Sequence, residues 1–367
     1  MPEYEVVVIE STGQSKRHLR DFLSLPKTLY PRGTCPQNRA DEEALLRGTH
    51  VLSRSFRTAT ILVYVDHMVS ARCLLCYYPG DKTCYLGFYE CTRDKHCSHT
   101  LFETAEKHAL ANDCTSLKGP VNASFWIGYR LKIDHFEGGP YFGEPYNLDY
   151  YADQFRASGF EVIETYLSSC YEKPPLFDKR TVKARRRLDR FKALGYTFKS
   201  PSASRFEVTL REICRLINDL YKDFPIYKPI SEDDFIALFS GFRHIYIRSL
   251  VQLAYFEKEP VGFLIGFPDY GNILAGKVSP FVFFRVLLKK IRSNRYIVLY
   301  VGAKPGHYGL GNAMSANVRR LVRHKRAASI AALVRTGKPT GRYNHDHLIG
   351  TQRYVLLEKR LEQSGQN

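Results

Sequence analysis

The sequence predicts an α+β (mixed α/β) protein in which one structural unit occurs twice. Its 367 residues correspond to about two domains of roughly 150 residues each. The 44% of hydrophobic residues is enough to fill two cores. The predicted elements of the first half, in order helices, a hairpin, a strand–turn–helix and two further strands, recur in the second half. The two halves repeat the order of their predicted elements but share few identical residues.

The first half begins with β-rich residues 6–9 and a helical pattern at residues 16–23. Two β-rich runs, 59–65 and 69–78, flank Asp66-His67-Met68 and predict a hairpin. Apolar residues at helical spacing predict a helix at 101–111. The other predicted elements of this half are strands at 84–91, 116–119 and 161–171 and a helix at 150–158 that ends at Gly159.

The second half repeats this order. Helices are predicted at 207–221 and 232–239, and a hairpin at 250–256 and 261–267. A strand at 296–303 leads into a Gly-rich turn and a helix at 313–323, and strands follow at 329–334 and 353–359. We predict a first domain at 1–175, a basic linker helix at 176–204 and a second domain at 205–367.

The charge of the chain favours an anionic partner. With 54 basic and 37 acidic residues the net charge is +17, which suits a phosphate-bearing cofactor, nucleic acid, an acidic carrier protein or a membrane surface. Basic residues concentrate at 179–199, where apolar spacing predicts an amphipathic helix. The predicted helix is compatible with two roles, binding to phosphate groups or connecting the domains as a solvated helix. A second basic run lies at 319–326.

Sequence features favour a cytoplasmic protein without a membrane partner or a metal. The start, MPEYEVVVIE, lacks the order of a signal peptide, and the longest apolar candidate, 279–288, contains Arg285. Nine cysteines, an odd number, favour reduced thiols. Cys73 and Cys76 lie three apart in a predicted strand and so point to opposite faces. The run 344–347, Asn-His-Asp-His, cannot converge on one ion.

The turn after strand 296–303 is the most informative segment. Gly306, Gly309 and Gly311 leave backbone N–H groups unobstructed where a helix begins, an arrangement that binds pyrophosphate. A plain tight turn is the alternative. No Gly-Lys-Ser/Thr follows, so the turn is not a P-loop.

The run Tyr308-Gly-Leu-Gly-Asn-Ala313 resembles the coenzyme A loop, Gln/Arg-x-x-Gly-x-Gly/Ala, of the GCN5-related N-acetyltransferase (GNAT) superfamily, with Tyr308 in place of Gln or Arg. Segments 86–91, 118–122, 143–147 and 150–160 resemble the first half of bacterial two-domain proteins of the YghO type. Segment 259–269, with Asn272, resembles their second half. The resemblance implies two tandem GNAT-like domains, each a mixed, mostly antiparallel twisted sheet flanked by helices.

The same resemblance implies an activity, the transfer of an acyl group from acetyl-CoA or another acyl-CoA to an amine of a small molecule by direct attack. The base candidates are Asp269 and Glu257, and the acid candidate is Tyr343. The residues expected to bind the donor are Val301, Ala303, His307, Tyr308, Gly309, Gly311, Asn312 and Ala313. The first half has no glycine at 92–98, so we expect it to be degenerate for coenzyme A, with Glu90 either a remnant base or a structural partner.

Two other functions are compatible with the sequence. Tandem GNAT-like domains also occur in aminoacyl-tRNA-dependent peptidyl or aminoacyl transferases, and the positive charge suits tRNA phosphates. A non-catalytic GNAT-fold binding protein is the other alternative, because Tyr308 departs from the loop pattern. An acyl-carrier protein or tRNA would bind through the basic runs 179–199 and 319–326.

Overall fold

The computed structural model describes residues 2–10, 14–175, 177–275, 280–337 and 347–362. The chain forms two compact units. Unit 1 comprises Met1–Pro140, Pro145–Tyr166 and Arg353–Asn367, and unit 2 comprises Tyr141–Glu144 and Leu167–Gln352. The mixed α+β class predicted from the sequence is confirmed. The basic helix lies within unit 2 and the last strand returns the chain to unit 1; the domain boundaries drawn from the sequence stay predictions.

Unit 1 is built on strands that follow the predicted order. Its elements are β1 (Tyr4–Glu10), α1 (Lys16–Leu29), α2 (Arg39–Leu46), β2 (Arg57–Val65), β3 (Met68–Tyr77), β4 (Thr83–Cys91), α3 (Lys95–Ala111), β5 (Ser116–Gly119), β6 (Leu131–Lys132) and α4 (Tyr151–Ala157). Strands β7 (Glu161–Tyr171) and β13 (Leu348–Arg360) are each divided between the units. The strand order in unit 1 is β1-β2-β3-β4-β5-β13, with only β4 and β5 parallel.

The first hairpin shows how local sequence sets this unit. Strands β2 and β3 join through Asp66 and His67, whose φ angles are 48° and 64°, as a tight two-residue hairpin turn requires. Both strands are almost fully buried, and α3 packs on them through the apolar face that its helical spacing predicted.

Unit 2 contains the second set of elements. They are α5 (Lys179–Ala193), β8 (Thr197–Lys199), α6 (Phe206–Leu220), α7 (Glu232–Phe239), β9 (Val251–Phe256), β10 (Glu259–Pro268), α8 (Pro280–Arg292), β11 (Arg295–Ala303), α9 (Leu310–His324) and β12 (Ala328–Arg335). The strand order is β12-β11-β10-β9-β8, with β11 and β12 parallel and the other pairs antiparallel. Helices α2 and α8 were not among the predicted elements.

A buried ionic network gives Glu90 a structural role in unit 1. Arg72 is 1% exposed, and its Nη1 donates to Glu42 Oε2 at 2.8 Å. Its Nη2 lies 3.9 Å from Glu90 Oε1. The hydroxyls of Tyr151 and Tyr30 also donate to Glu90, at 2.6 and 3.5 Å. Two buried carboxylates thus share one guanidinium. Burial raises the pKa of Glu90 to about 7, although Arg72 opposes the shift.

Stability should therefore depend on pH through Glu90. The folded state holds the Glu90 proton more tightly than the unfolded chain, whose carboxyl has the usual pKa of 4.5. The contribution of Glu90 is therefore present below about pH 4.5 and is lost as the pH rises to 7, by up to about 3 kcal/mol. Glu90→Gln should remove this loss in urea unfolding at pH 5 and pH 8.

The matched control is Glu5→Gln, which changes an exposed carboxylate on β1. It should keep the wild-type difference in unfolding free energy between the two pH values. Equal pH dependence in wild type and Glu90→Gln would contradict the proposed cause.

Candidate functional site

Strands β11 and β12 are paired along only the first half of β11. Their parallel pairing covers Arg295–Val298 and Ala328–Ala331, although β11 continues to Ala303. On its other side β11 stays paired with β10, with Leu299 as the extra residue of a β-bulge. A bulge increases local twist and bends the strand that carries it. The result is a gap beside the second half of β11, on the side of β12.

The alternation of an antiparallel ladder fixes which amides of β11 face this gap. The Lys304 N–H donates to the Val261 carbonyl of β10 at 2.8 Å. Hydrogen-bonded and non-hydrogen-bonded positions alternate along such a ladder. Val301 and Ala303 therefore occupy the other positions, and their N–H and C=O groups point away from β10. Two of the predicted donor-binding residues thus lie along an open strand edge.

Helix α9 begins directly after β11 with an uncapped N-terminus. Its N-cap is Gly309, at φ 84°, and no side chain caps it. A Cβ built on Gly311 would lie 3.0 Å from Val301 Cγ1, so the first turn of α9 packs closely against β11 and a larger side chain would press on Val301. The first-turn N–H groups, of which that of Leu310 donates to the His307 carbonyl at 3.2 Å, and the positive end of the helix dipole thus lie beside the open edge of β11.

A guanidinium from α5 lies over the same turn. Helix α5 packs on α9 through apolar side chains, Ala184 and Leu188 against Ala313 and Ala316. Arg187 Nη1 lies 3.8 Å from the position that a Gly309 Cβ would occupy. Across the residues that the structure describes, Arg187 forms no ion pair. A nearby cation and a helix N-terminus without a side-chain cap together favour an anion at this point.

The corresponding turn of unit 1 is already occupied by its own side chains. Asp94 caps α3 and accepts hydrogen bonds from the N–H groups of His96 and Cys97, at 2.8 and 3.4 Å. Beside β4, the Phe88 N–H donates to Asn122 Oδ1 at 2.8 Å. A carboxylate at a helix N-terminus repels a second anion, so the two turns differ in charge as well as in glycine content.

Comparison with known proteins supports this architecture. No family model and no curated protein sequence matches the chain. Among solved structures, a tandem GNAT protein from the clavulanic acid biosynthesis pathway superposes with a TM-score of 0.55 at 14% identity, covering 99% of this chain and 100% of that one. The chain has a tandem GNAT fold. The likeness establishes this fold alone, and the YghO-like subtype stays a prediction.

Two further structures are more distant. A GCN5-related N-acetyltransferase from Sphaerobacter thermophilus has a TM-score of 0.48 at 12% identity, covering 98% of this chain and 96% of that one. A protein named L-PGS from Bacillus licheniformis has a TM-score of 0.40 at 12% identity, covering 91% and 95%.

In this tandem GNAT fold the predicted donor-binding residues divide into two groups. Val301, Ala303, Gly309 and Gly311 lie together at the open edge and turn, with exposed Asn312 in the first turn of α9. The other three have different surroundings. The Ala313 side chain is buried against α5, the His307 ring is hydrogen-bonded to the Tyr196 hydroxyl at 2.7 Å, and Tyr308 is 89% exposed.

Asp269 lies at the opposite end of β11 from the turn. One carboxylate oxygen accepts from the N–H groups of Phe142 and Gly271, both at 2.9 Å. The other accepts from Arg295 Nε at 2.6 Å. Arg295 begins β11, about 20 Å of extended strand from Val301. Asp269 thus holds the start of the strand, away from the open edge at Val301 and Ala303.

The other two predicted catalytic residues are placed differently. Glu257 is exposed at the tip of the β9–β10 hairpin, where it and Lys258 form the turn with φ angles of 50° and 70°. Tyr343 lies outside the described residues, as do Asn344, His345 and Asp346. His347 pairs with Glu172 at 3.1 Å. In the described ranges, no three His, Cys, Asp or Glu side chains come together as a metal site requires.

The basic run 319–326 lies away from the turn. Helix α9 has 15 residues and is therefore about 22 Å long. Arg323 and His324 stand in its last turn, whereas the uncapped turn is at its start. The cation near the turn is Arg187 of the other basic run. The sequence analysis included Arg187 in the basic run 179–199 but did not single it out, because no local pattern distinguishes it from its neighbours on α5.

Aromatic and apolar groups flank the face of β11 that is turned away from α9. A Cβ on Gly302 would lie 2.8 Å from Leu220 Cδ1, so glycine lets the end of α6 approach the strand. Phe224 follows α6, and the Arg335 guanidinium of β12 lies 4.9 Å from its ring centroid. Tyr300 lies on the same face of β11 as Gly302 and is 38% exposed. This face offers an apolar surface next to the gap.

The conformation of the turn should depend on glycine at position 309. Gly309→Ala places a Cβ in the left-handed region at φ 84° and should cost about 1 kcal/mol of unfolding free energy in urea. The control is Gly241→Ala, where φ is not positive and the new Cβ meets nothing within 4 Å. It should change stability by less than about 0.5 kcal/mol. Equal losses in the two variants would contradict the role of the turn.

Proposed function

We propose that the protein is an N-acyltransferase in which unit 2 binds an acyl-coenzyme A, such as acetyl-CoA, and transfers the acyl group to an amine of a small molecule. One observation carries the proposal: the uncapped N-terminus of α9 rests against the open edge of β11 at Gly311. A phosphate-bearing donor with an amide-containing arm fits both features at once.

The turn would hold the pyrophosphate. Its oxygens would accept from the N–H groups at the start of α9, where the helix dipole favours negative charge. Arg187 would add a charge-assisted hydrogen bond from the side of α5. Tyr308 takes no part in this scheme, because its exposed side chain is not needed when the donors are backbone groups. The departure of Tyr308 from the family's loop pattern is therefore compatible with donor binding.

The open edge of β11 would hold the arm of the donor. The N–H groups of Val301 and Ala303 point into the gap, where they would donate to carbonyl oxygens of the bound arm. A donor aimed at the thioester carbonyl stabilises the negative charge that develops on its oxygen during attack. Leu299, at the bulge, marks the point where the strands separate, and so limits how deep the arm can reach.

The reaction would be a direct attack. The amine nitrogen bonds to the thioester carbon, the carbon–sulfur bond breaks, the ammonium group gives up a proton and the thiolate takes one. Glu257 stays a proposed base candidate and Tyr343 the proposed acid, whereas Asp269 stays a prediction of the sequence alone, because its carboxylate is hydrogen-bonded to Arg295 at the far end of β11. The exposed face around Tyr300 and Phe224 would receive the acceptor, which favours an amine that carries an apolar part.

Unit 1 would bind no donor. Asp94 already satisfies the start of α3, and Asn122 takes the Phe88 N–H beside β4. We therefore propose one acyl-CoA per chain.

Calorimetric titration with acetyl-CoA should show one site per chain. Gly311→Trp, which fills the contact with Val301, should abolish the binding heat. Gly241→Trp, at a position with open space around it, should bind as the wild type does. An absence of binding to the wild-type protein would contradict the proposal, and two sites per chain would contradict the assignment to unit 2 alone.

Arg187→Gln tests the phosphate contact. Loss of one charge-assisted hydrogen bond should raise the Kd for acetyl-CoA roughly tenfold or more. Binding of S-acetylpantetheine, which lacks phosphate, should not change. Arg185→Gln, on the same helix with a side chain 80% exposed, is the matched control. An equal loss for both ligands would show that Arg187 only supports the fold.

Turnover is tested by the release of free thiol from acetyl-CoA over a panel of amines. A protein that binds acetyl-CoA at one site but acetylates none of them would favour the non-catalytic alternative.

A further inference from the structure

Helix α8 of unit 2 exposes an unusual amount of apolar side chain. Of its 13 residues, only Val286 is buried, and no residue is acidic. Monomeric proteins seldom leave so many large apolar groups of one helix in contact with water. The exposed large apolar residues are Phe281, Phe283, Phe284, Leu287, Leu288 and Ile291.

These side chains form one continuous face. At 100° per residue the six residues cover an arc of about 160°. The basic residues Arg285, Lys289 and Arg292 follow along one border of this arc. Lys290 lies at the opposite border of the apolar arc, and Val286 lies on the side of the helix that faces the protein. The helix is therefore divided into a buried side, an apolar exposed side and a cationic rim.

Contacts within unit 2 fix this orientation. Lys290 Nζ donates to the His244 carbonyl at 3.1 Å and lies 5.9 Å from the Tyr246 ring centroid. Lys325 Nζ donates to the Ile291 carbonyl at 3.4 Å, which adds another cation at the end of the helix. Because these contacts hold the buried side of α8 against unit 2, the helix does not rotate to bury its apolar face.

We propose that α8 is an interfacial helix that binds the surface of an anionic lipid bilayer. Apolar aromatic and aliphatic groups on one side, a Lys- and Arg-rich border and no acidic residue are the features of helices that lie in the plane of the membrane interface. The phenylalanines and leucines would enter the boundary of the acyl chains, and the rim would contact lipid phosphates. Among the described residues no helix is long and apolar enough to cross a membrane.

Charge argues against a second copy of this chain as the occupant. Two α8 faces packed together would bring Arg285, Lys289 and Arg292 of one copy near those of the other. Like charges across an interface disfavour association, whereas an anionic bilayer neutralises them. The proposal revises the sequence-based expectation that the protein has no membrane partner, and it does not depend on the acyl-CoA site.

The test is co-sedimentation of the full chain with phosphatidylcholine vesicles that contain phosphatidylglycerol or lack it. We expect binding to the anionic vesicles, at least roughly tenfold weaker binding to the neutral ones, and a similar loss with Phe284→Asp. The matched control is Phe177→Asp, which changes a phenylalanine that is 95% exposed elsewhere on unit 2 and should bind as the wild type does.

Three outcomes would overturn the proposal. They are an absence of binding to anionic vesicles, equal binding by wild type and Phe284→Asp, and a lipid-free dimer in sedimentation velocity that Phe284→Asp dissociates. The last outcome would assign the face to a second copy. Circular dichroism and acetyl-CoA titration of Phe284→Asp check that the variant is folded, because position 284 lies outside the proposed donor site.

Discussion

The candidate site depends on the separation of β11 from β12 beyond Val298 while β11 stays paired with β10. A strand that loses its neighbour on one side has backbone groups that nothing in the sheet satisfies. In unit 2 those groups stand next to the start of α9, because Gly311 allows the helix to rest on the strand. An open strand edge and an uncapped helix end each leave backbone groups without hydrogen-bond partners, which costs free energy. A ligand that forms hydrogen bonds with both gains binding free energy from each.

The two units use the same strand–turn–helix in opposite ways. In unit 1 the start of α3 is capped by Asp94 and the strand amide of Phe88 is taken by Asn122. That arrangement satisfies the backbone without a ligand, and Glu90 of unit 1 lies in a buried ionic network. Unit 2 leaves the equivalent groups open. The difference lies in a few residues at the turn, since both units contain a strand, a turn and a helix in that order.

Basic residues stand in two different settings in unit 2. Arg187 of α5 lies over the turn, where it can bind a phosphate of a small ligand. The cations of α8 border an apolar face, where they suit a surface of many phosphates. The net charge alone could not distinguish these two settings, because it is a sum over the whole chain and does not say where the charged residues lie.

The sequence by itself determined the local features: the strand-to-helix transition, the glycines of the turn and the two hairpins, because these depend on residues adjacent in the chain. It did not yield α8, because residues 279–288 form an apolar run that is interrupted by Arg285. Only the tertiary structure decided that the Arg187 guanidinium lies near Gly309 and that the Asp269 carboxylate is hydrogen-bonded to Arg295. It also decided that the apolar side of α8 is exposed. Each of these depends on which distant segments pack together, and packing is a property of the whole fold.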